Sequence, residues 1–340
     1  EQPRAVQLLN KSRVGRKVLK RLQAKRQTQS VTELLIDKGR ELGPIFEAKG
    51  LSQRTILIWG YPYVNEVCDD ERFDKALGLG LVALREAVGD GLFTAYTEEP
   101  NWGIAHRILL PAFGHAAMER YHPAMLDLAS QLMLKWGRVN PGETVNVPED
   151  MTRLTLDTIG LCGFGYRFNS FYRTDLHPYV QDMIDVLDAA MEVTTGNAAP
   201  DALAKNPKIA EKIAAMDALV DNVIATREAS GSEGKQDLLQ FMLDGVDKST
   251  GEGLDPVTIR DEINTFLIAG HETTSGMLSF ALYFLLKQPE VLAKAQAEAD
   301  AILGTDTSVL PTYDQVRKLG YINQILKETL RLWPTAPGFT

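Results

Sequence analysis

Ala269-Gly270-His271-Glu272-Thr273-Thr274 places a glycine and four polar residues inside an otherwise apolar helical run. A mid-helix Gly is less favourable than Ala by about 1 kcal/mol, and a polar group buried there needs a partner. Ala269 and Thr273 are four apart, so one face presents a small side chain one turn from a hydroxyl. Small side chains let a flat ligand approach the backbone, and the Thr hydroxyl can bond back to the carbonyl of Ala269. Glu272 beside them is an acid in low-dielectric surroundings, suited to moving protons. The plainer alternative is a polar patch where two helices cross.

Two further pairs stand out. Glu328 and Arg331 are three apart and share a helix face, which usually means a surface ion pair. Ile325, Glu328 and Leu332 fall in one stripe, so this pair is expected to be partly buried. Trp102 and His106 are four apart, with Arg107 beside them. Indole, imidazole and guanidinium are donors that could grip the carboxylates of a ligand. A core Trp with a surface His is the other reading. The sequence has no Gly-x-Ser-x-Gly elbow, Walker loop, Gly-x-Gly-x-x-Gly turn or His-Glu-x-x-His pair. Hydrolase and nucleotide-binding readings therefore lack support.

These residues need long helices to hold them, and helical periodicity dominates after residue 30. Asp255 is a good N-cap, Pro256 suits the first helical position, and Gln288-Pro289 is a stop. The run between them is expected to be a buried central helix, roughly 43 Å long from Thr258 to Leu286. It is apolar nearly all round, and the polar residues at its middle argue against a membrane span. Ser30 and Glu33 read as a capping box opening an earlier helix. Residues 45–64, with Thr55-Ile56-Leu57-Ile58-Trp59, form the one convincing β region. Helical patterns follow over 63–68, 81–88, 102–110, 115–138, 151–162 and 177–193, with joints at 195–207, 230–236 and 245–256. Thr312 and Gln315 are expected to open the helix that carries Glu328. The fold class is mainly α with a small β region.

Composition agrees with a globular chain: 340 residues, 44% apolar and 24% charged. Cys68 and Cys162 are its two cysteines, which excludes a zinc finger, an iron–sulfur site and a disulfide framework. A reducing, cytoplasmic setting is the natural reading. Residues 1–30 hold nine of the 36 basic side chains against Glu1 alone, so the remainder carries 27 basic and 44 acidic ones. An acidic body argues against a nucleic-acid partner. The basic lead, 1–30, is either a surface-binding helix or a poorly ordered terminal segment, and 31–340 is one domain. Both ends of the chain read as cut.

In combination and in this order, the three sites resemble the cytochrome P-450 family of haem-thiolate monooxygenases. The stretch from Ala269 to Thr274 is similar to the family's oxygen-binding helix, Glu328-x-x-Arg331 to its Glu-x-x-Arg pair, and Trp102-x-x-x-His106 to its propionate-binding helix. Asp90-Gly91-Leu92-Phe93, the run 148–164 and Leu332-Trp333-Pro334-Thr335-Ala336-Pro337 resemble the self-sufficient fatty-acid hydroxylases, which carry a fused reductase. The resemblance implies the P-450 fold, haem b, and insertion of one dioxygen atom into a small apolar substrate such as a fatty acid. It implies a flavin reductase, fused or separate, using NADPH, FAD and FMN. Thr273 and Glu272 would relay protons, while Ala269, Gly270 and Thr274 would lie by the haem and Trp102 and His106 would bond a propionate. Phe93, Leu81, Leu84, Val88 and Ala336 would line the substrate channel. Glu328 and Arg331 would be a structural pair.

Three departures follow from the same resemblance. The haem-ligating Cys belongs in a Phe-Gly-rich loop after the Glu-x-x-Arg helix; neither Cys68 nor Cys162 matches it, so the fold is expected to be incomplete at its C-terminus. Positions where relatives place Arg and Tyr to anchor a carboxylate read Gln53 and Leu57. The family's Pro-rich lead is missing from residues 1–30. The competing expectation is a non-catalytic helical fragment or binding protein that keeps an apolar cavity.

Overall fold

In the computed structural model, residues 31–48, 55–69, 71–231 and 234–336 are described. The basic lead, Ser30 and Gln53 lie outside them. The described residues divide into two compact units, one ending at Asp74 and one starting at Lys75.

The first unit holds α1 (Val31–Leu42), β1 (Ile45–Ala48), β2 (Thr55–Ile58) and α2 (Tyr61–Val67). The β region is shorter than its composition suggests: β1 and β2 pair antiparallel, with Ile45 opposite Ile58 and Leu57 opposite Phe46. Trp59 N–H closes the hairpin on Pro44 O at 3.0 Å. Its indole lies against Gly39, where a Cβ would come within 3.1 Å of the ring. Tyr61-Pro62 then starts α2 directly, because Pro is well placed in a first turn.

The second unit is helical. It runs through α3 (Leu79–Val88), α4 (Pro100–Leu109) with a 3₁₀ turn Leu110–Phe113, α5 (His115–Trp136) and α6 (Val147–Phe164). After a 3₁₀ turn at Ser170–Tyr172 come α7 (Pro178–Thr194), α8 (Ala202–Lys205), α9 (Pro207–Ser230) and α10 (Leu238–Asp244). The last elements are α11 (Pro256–Lys287), α12 (Pro289–Leu303), α13 (Tyr313–Val316) and α14 (Gly320–Leu332).

α11 organises the unit. Asp255 caps it as expected, its carboxylate accepting from Val257 N, Thr258 N and Thr258 Oγ1 at 2.6–3.1 Å. Ile263 and Leu267 are fully buried, each such side chain stabilising by about 1.5–3 kcal/mol. The helix packs most extensively on α6, and also on α3, α9, α10, α12 and α14. Enclosure on all sides does not hold along its whole length. Tyr283 is 52% and Leu286 73% exposed, because among the described residues no element covers that flank. A second expectation is corrected at Thr312, whose capping box with Gln315 opens the one-turn α13 rather than the helix of Glu328. Asp255→Ala should lower stability by about 1 kcal/mol, seen as a lower urea midpoint with an unchanged slope.

Candidate functional site

At 100° per residue, Glu262, Thr265, Ala269, Glu272, Thr273 and Gly276 fall within one stripe of α11 about 100° wide. Both ends of that stripe are covered. At the first, Leu92 N–H donates to Glu262 Oε1 at 3.0 Å, and Gly91 packs on Thr265, where a Cβ would stand 2.5 Å from Oγ1. At the other, a Cβ on Gly276 would meet Thr335 Cγ2 at 2.7 Å. Between them Ala269, Glu272 and Thr273 are exposed. From Thr265 to Gly276 the helix rises about 16 Å. The result is an open cradle floored by small and polar side chains.

A second open face adjoins it. On α4, Ile104, Ala105, Ile108 and Leu109 are buried, which leaves Trp102, His106 and then Leu110 and Phe113 facing outward. Trp102 and His106 stack with ring centres 5.2 Å apart and planes 14° from parallel. Leu110 is 60% and Phe113 49% exposed, and Phe113 contacts Phe266 of α11 at 5.7 Å. Arg107 does not join this set. Its Nε and Nη2 donate to both oxygens of Asp247 at 2.8 and 2.7 Å, and that guanidinium holds the Asp247 carboxyl far below the usual carboxylate range.

The polar stretch of α11 serves two faces. Thr273 Oγ1 donates to Ala269 O at 2.8 Å on the open side, the back-bond expected from the sequence. Gly270 and His271 turn the other way, onto α6. A Cβ on Gly270 would lie 3.1 Å from Ile159, and His271 O accepts from Thr155 Oγ1 at 2.8 Å. The glycine thus permits helix crossing, and Ala269 is the small residue on the open face. Thr274 is half-buried. Burial, with the charge of Asp188 second, raises the Glu272 carboxyl above its ordinary pKa although the residue is exposed on the stripe.

The remaining site residues are scattered. Phe93 follows the Leu92 amide and is 47% exposed. Leu84 and Val88 are sealed in the main core and Leu81 is half-buried, so the first two line no open channel in this structure. Ala336 is exposed beside Thr335. Leu57 lies on β2 in the first unit. Glu328 and Arg331 do pair, through two hydrogen bonds of 2.7 Å, but the expected burial is wrong. Their side chains are 55% and 66% exposed, because Thr329 is the residue α14 buries and no described element covers the stripe.

Cys162, the cysteine of this unit, does not lie in the cradle. Cys162 is buried in α6 with Sγ toward Tyr121 O, and burial pushes its thiol up to about 12. Cys68 is exposed at the end of α2 in the first unit. Among the described residues there is no group of three or more His, Cys, Asp or Glu that could hold a metal ion, and no helix is long and apolar enough to cross a membrane.

Sequence reasoning missed Glu262 and Thr265, and it named Gly91 and Thr335 only within longer stretches, with no place at the site. The signal was available for the first two: they sit seven and four residues before Ala269, on its face. Asp261-Glu262 reads by composition as a solvated helix start instead.

The cytochrome P-450 family profile matches residues 17–340. A bifunctional cytochrome P-450/NADPH–P-450 reductase of Bacillus cereus is 54% identical over 302 residues, covering 88% of this chain and 28% of that protein. A second protein of that description, from Bacillus subtilis, is 53% identical over 88% of this chain and 28% of its own. A self-sufficient cytochrome P-450 monooxygenase of Phanerodontia chrysosporium is 48% identical over 87% and 28%. The chain spans under a third of the length of these relatives.

Proposed function

The chain belongs to the cytochrome P-450 family, and from that premise we propose that it is the haem-binding part of a monooxygenase acting on a small apolar substrate, with fatty acids the first class to test. The observation that carries the reading is the open cradle on α11, floored by Ala269 and Thr273 and closed at both ends. Its fit to haem b rests on three features. A flat macrocycle needs a helix face without bulk, and Ala269 supplies one. Exposed Leu110 and Phe113 beside it give an apolar wall. The stacked Trp102–His106 pair offers nitrogen donors for a propionate at the edge. Gly270 supports the cradle from behind through Ile159, and Thr274 flanks it.

Held there by Ala269, Trp102 and His106, haem would supply dioxygen activation. The chain's own residues do the rest. Thr273 presents a hydroxyl to the open face and can pass a proton at Oγ1, and Glu272, whose raised pKa keeps more of it protonated toward neutral pH, can replenish it. Phe93 and Ala336 border the space for substrate, with Leu81 behind them, while Leu84 and Val88 hold the wall of α3 in place. Glu328 and Arg331 fix α14 as a structural pair. Electrons come from a reductase using NADPH, as the names of the relatives suggest, with FAD and FMN as its flavins by the family resemblance, in a cytoplasmic setting. A non-catalytic binding protein would leave Thr273 and Glu272 on the open face without a use.

The test is ligation. The haem-loaded, reduced full-length protein under carbon monoxide should give the long-wavelength Soret band of a thiolate ligand, and Cys162→Ser should leave that band in place, since Cys162 Sγ is buried against Tyr121 rather than presented to the cradle. Absence of haem uptake would overturn the reading. Loss of the band on Cys162→Ser would overturn the assignment of the ligand to another cysteine.

A further inference from the structure

The buried acid at the covered end of the cradle has no part in that scheme. Glu262 is fully buried, and its Oε1 accepts the N–H of Leu92, the residue before Phe93. The loop is otherwise tied to itself, to α3 and to α4: Thr94 Oγ1 donates to Gly89 O, Thr94 N and Ala95 N to Gly91 O, Arg85 Nη1 to Thr94 O, and Asn101 Nδ2 to Asp90 Oδ2. Among the described residues, Leu92 is thus held by Glu262 alone while its neighbours have other ties. Gly89 and Gly91 bring this loop onto α11. A Cβ on Gly89 would stand 2.0 Å from Asp261 Oδ2, and one on Gly91 2.5 Å from Thr265 Oγ1. Glu262 Oε2 and Thr265 Oγ1, both buried, have no hydrogen-bond partner among the described residues. A buried carboxyl with one oxygen unpaired is a poor device for stability, since an apolar residue of similar volume avoids the desolvation penalty. What it does make is a backbone hydrogen bond one residue from the side chain that borders the substrate space.

We propose that Glu262 is a positioning residue: by accepting the Leu92 N–H it fixes the segment that carries Phe93, and so helps set which carbon of an apolar substrate is oxidised. This rests on the place given to Phe93 above. Burial, with Asp261 and Asp90 adding their charge, pushes the Glu262 carboxyl up to about 8, so it is largely protonated at neutral pH and Gln is a close stand-in. Met matches its length but accepts no comparable hydrogen bond.

The experiment compares Glu262→Gln, Glu262→Met and Phe93→Ala in the haem-loaded full-length protein with its reductase. Two readouts are taken: hydrogen exchange in the peptide covering 89–95, and the positions hydroxylated on medium- and long-chain saturated fatty acids. E262M should speed exchange at the Leu92 amide about tenfold and shift the product ratio at least about twofold, while E262Q keeps both near the parent values. Unchanged exchange in E262M overturns the clamp. Faster exchange with an unchanged product ratio overturns its role in specificity, and E262Q behaving like E262M overturns the role of the hydrogen bond. If F93A leaves the products unchanged, or no fatty acid is turned over, the reading of the substrate space fails and the proposal fails with it. Should E262M not fold, Gly91→Ala displaces the same segment from the loop side, and an unchanged product ratio there is equally fatal.

Discussion

Replacing Arg227 by Met is expected to destabilise the protein by about 3–5 kcal/mol, the usual cost of removing one partner from a buried ion pair. Arg227 is 3% exposed near the end of α9. Its guanidinium donates Nη1 to Asp237 Oδ1 at 2.8 Å and Nη2 to Asp237 Oδ2 at 2.6 Å, and also reaches Gln240 Oε1 and Phe164 O. Three helix ends therefore meet at one side chain. Phe164 O is a C-terminal carbonyl of α6 with no intrahelical partner, and Asp237 is the N-cap of α10, accepting Gln240 N–H. Gly165, at φ +64, lets the chain turn over this point; a Cβ there would stand 2.9 Å from Nη2. Met fills the volume but leaves the largely buried Asp237 carboxylate without its cation. Set against a typical net stability of about 5–15 kcal/mol, the loss should appear as a large fall in the denaturant midpoint. Arg227→Lys keeps the charge without the planar fork, so it should recover part of the loss. A midpoint within error of the parent in R227M would show that the cluster contributes nothing net.

Arg227 also illustrates what the sequence withheld. α9 carries a stripe at Ile209, Met216, Val220, Val223 and Arg227, spaced for one helix face, yet the sequence shows only the joints on either side of it and no clear helix between them. Alanines scattered all round that helix blur the contrast between faces, and a charged residue at a buried position breaks the pattern where it ends. The elements read with most success had punctuation as well as periodicity. Asp255-Pro256 and Gln288-Pro289 bound α11 in the sequence as they do in the structure. The polar stretch of α11 was legible because polar groups in a greasy helix are conspicuous, but its division between two faces was not. Gly270 and Ala269 are both small, and only the position of Ile159 on α6 tells which of them is covered. Arg107 failed for the same reason, since its partner Asp247 lies 140 residues away. Glu262 is marked in the sequence only by its spacing from Ala269, because it sits among charged residues at the start of the helix and its partner is a backbone N–H in a distant loop.

Thr273→Ala should separate structure from chemistry at the cradle, and its expected effect is on product rather than on fold. The Thr273 hydroxyl is exposed and donates to Ala269 O, a carbonyl already within the helical ladder, so its loss leaves no buried group orphaned. Ala is also the better helix former by a few tenths of a kcal/mol, and thermal stability should hold or rise slightly. Substrate affinity should stay within about twofold, because the open face loses a hydroxyl and keeps its shape. The rate of product formation should fall about tenfold or more, below the 10²–10⁴-fold span of general acid catalysis because water can stand in for the hydroxyl. Reducing equivalents would then leave as hydrogen peroxide, measured together with product per NADPH consumed. Thr273→Ser, which keeps the oxygen, should restore coupling. The pH dependence supplies a second check through Glu272. An acid whose pKa is raised donates best below that value and less as pH climbs through it, so product formation should decline on the alkaline side and Glu272→Gln should flatten that decline. Unchanged coupling in T273A, with stability also unchanged, would remove the hydroxyl from the proton path and leave the cradle as a binding surface alone.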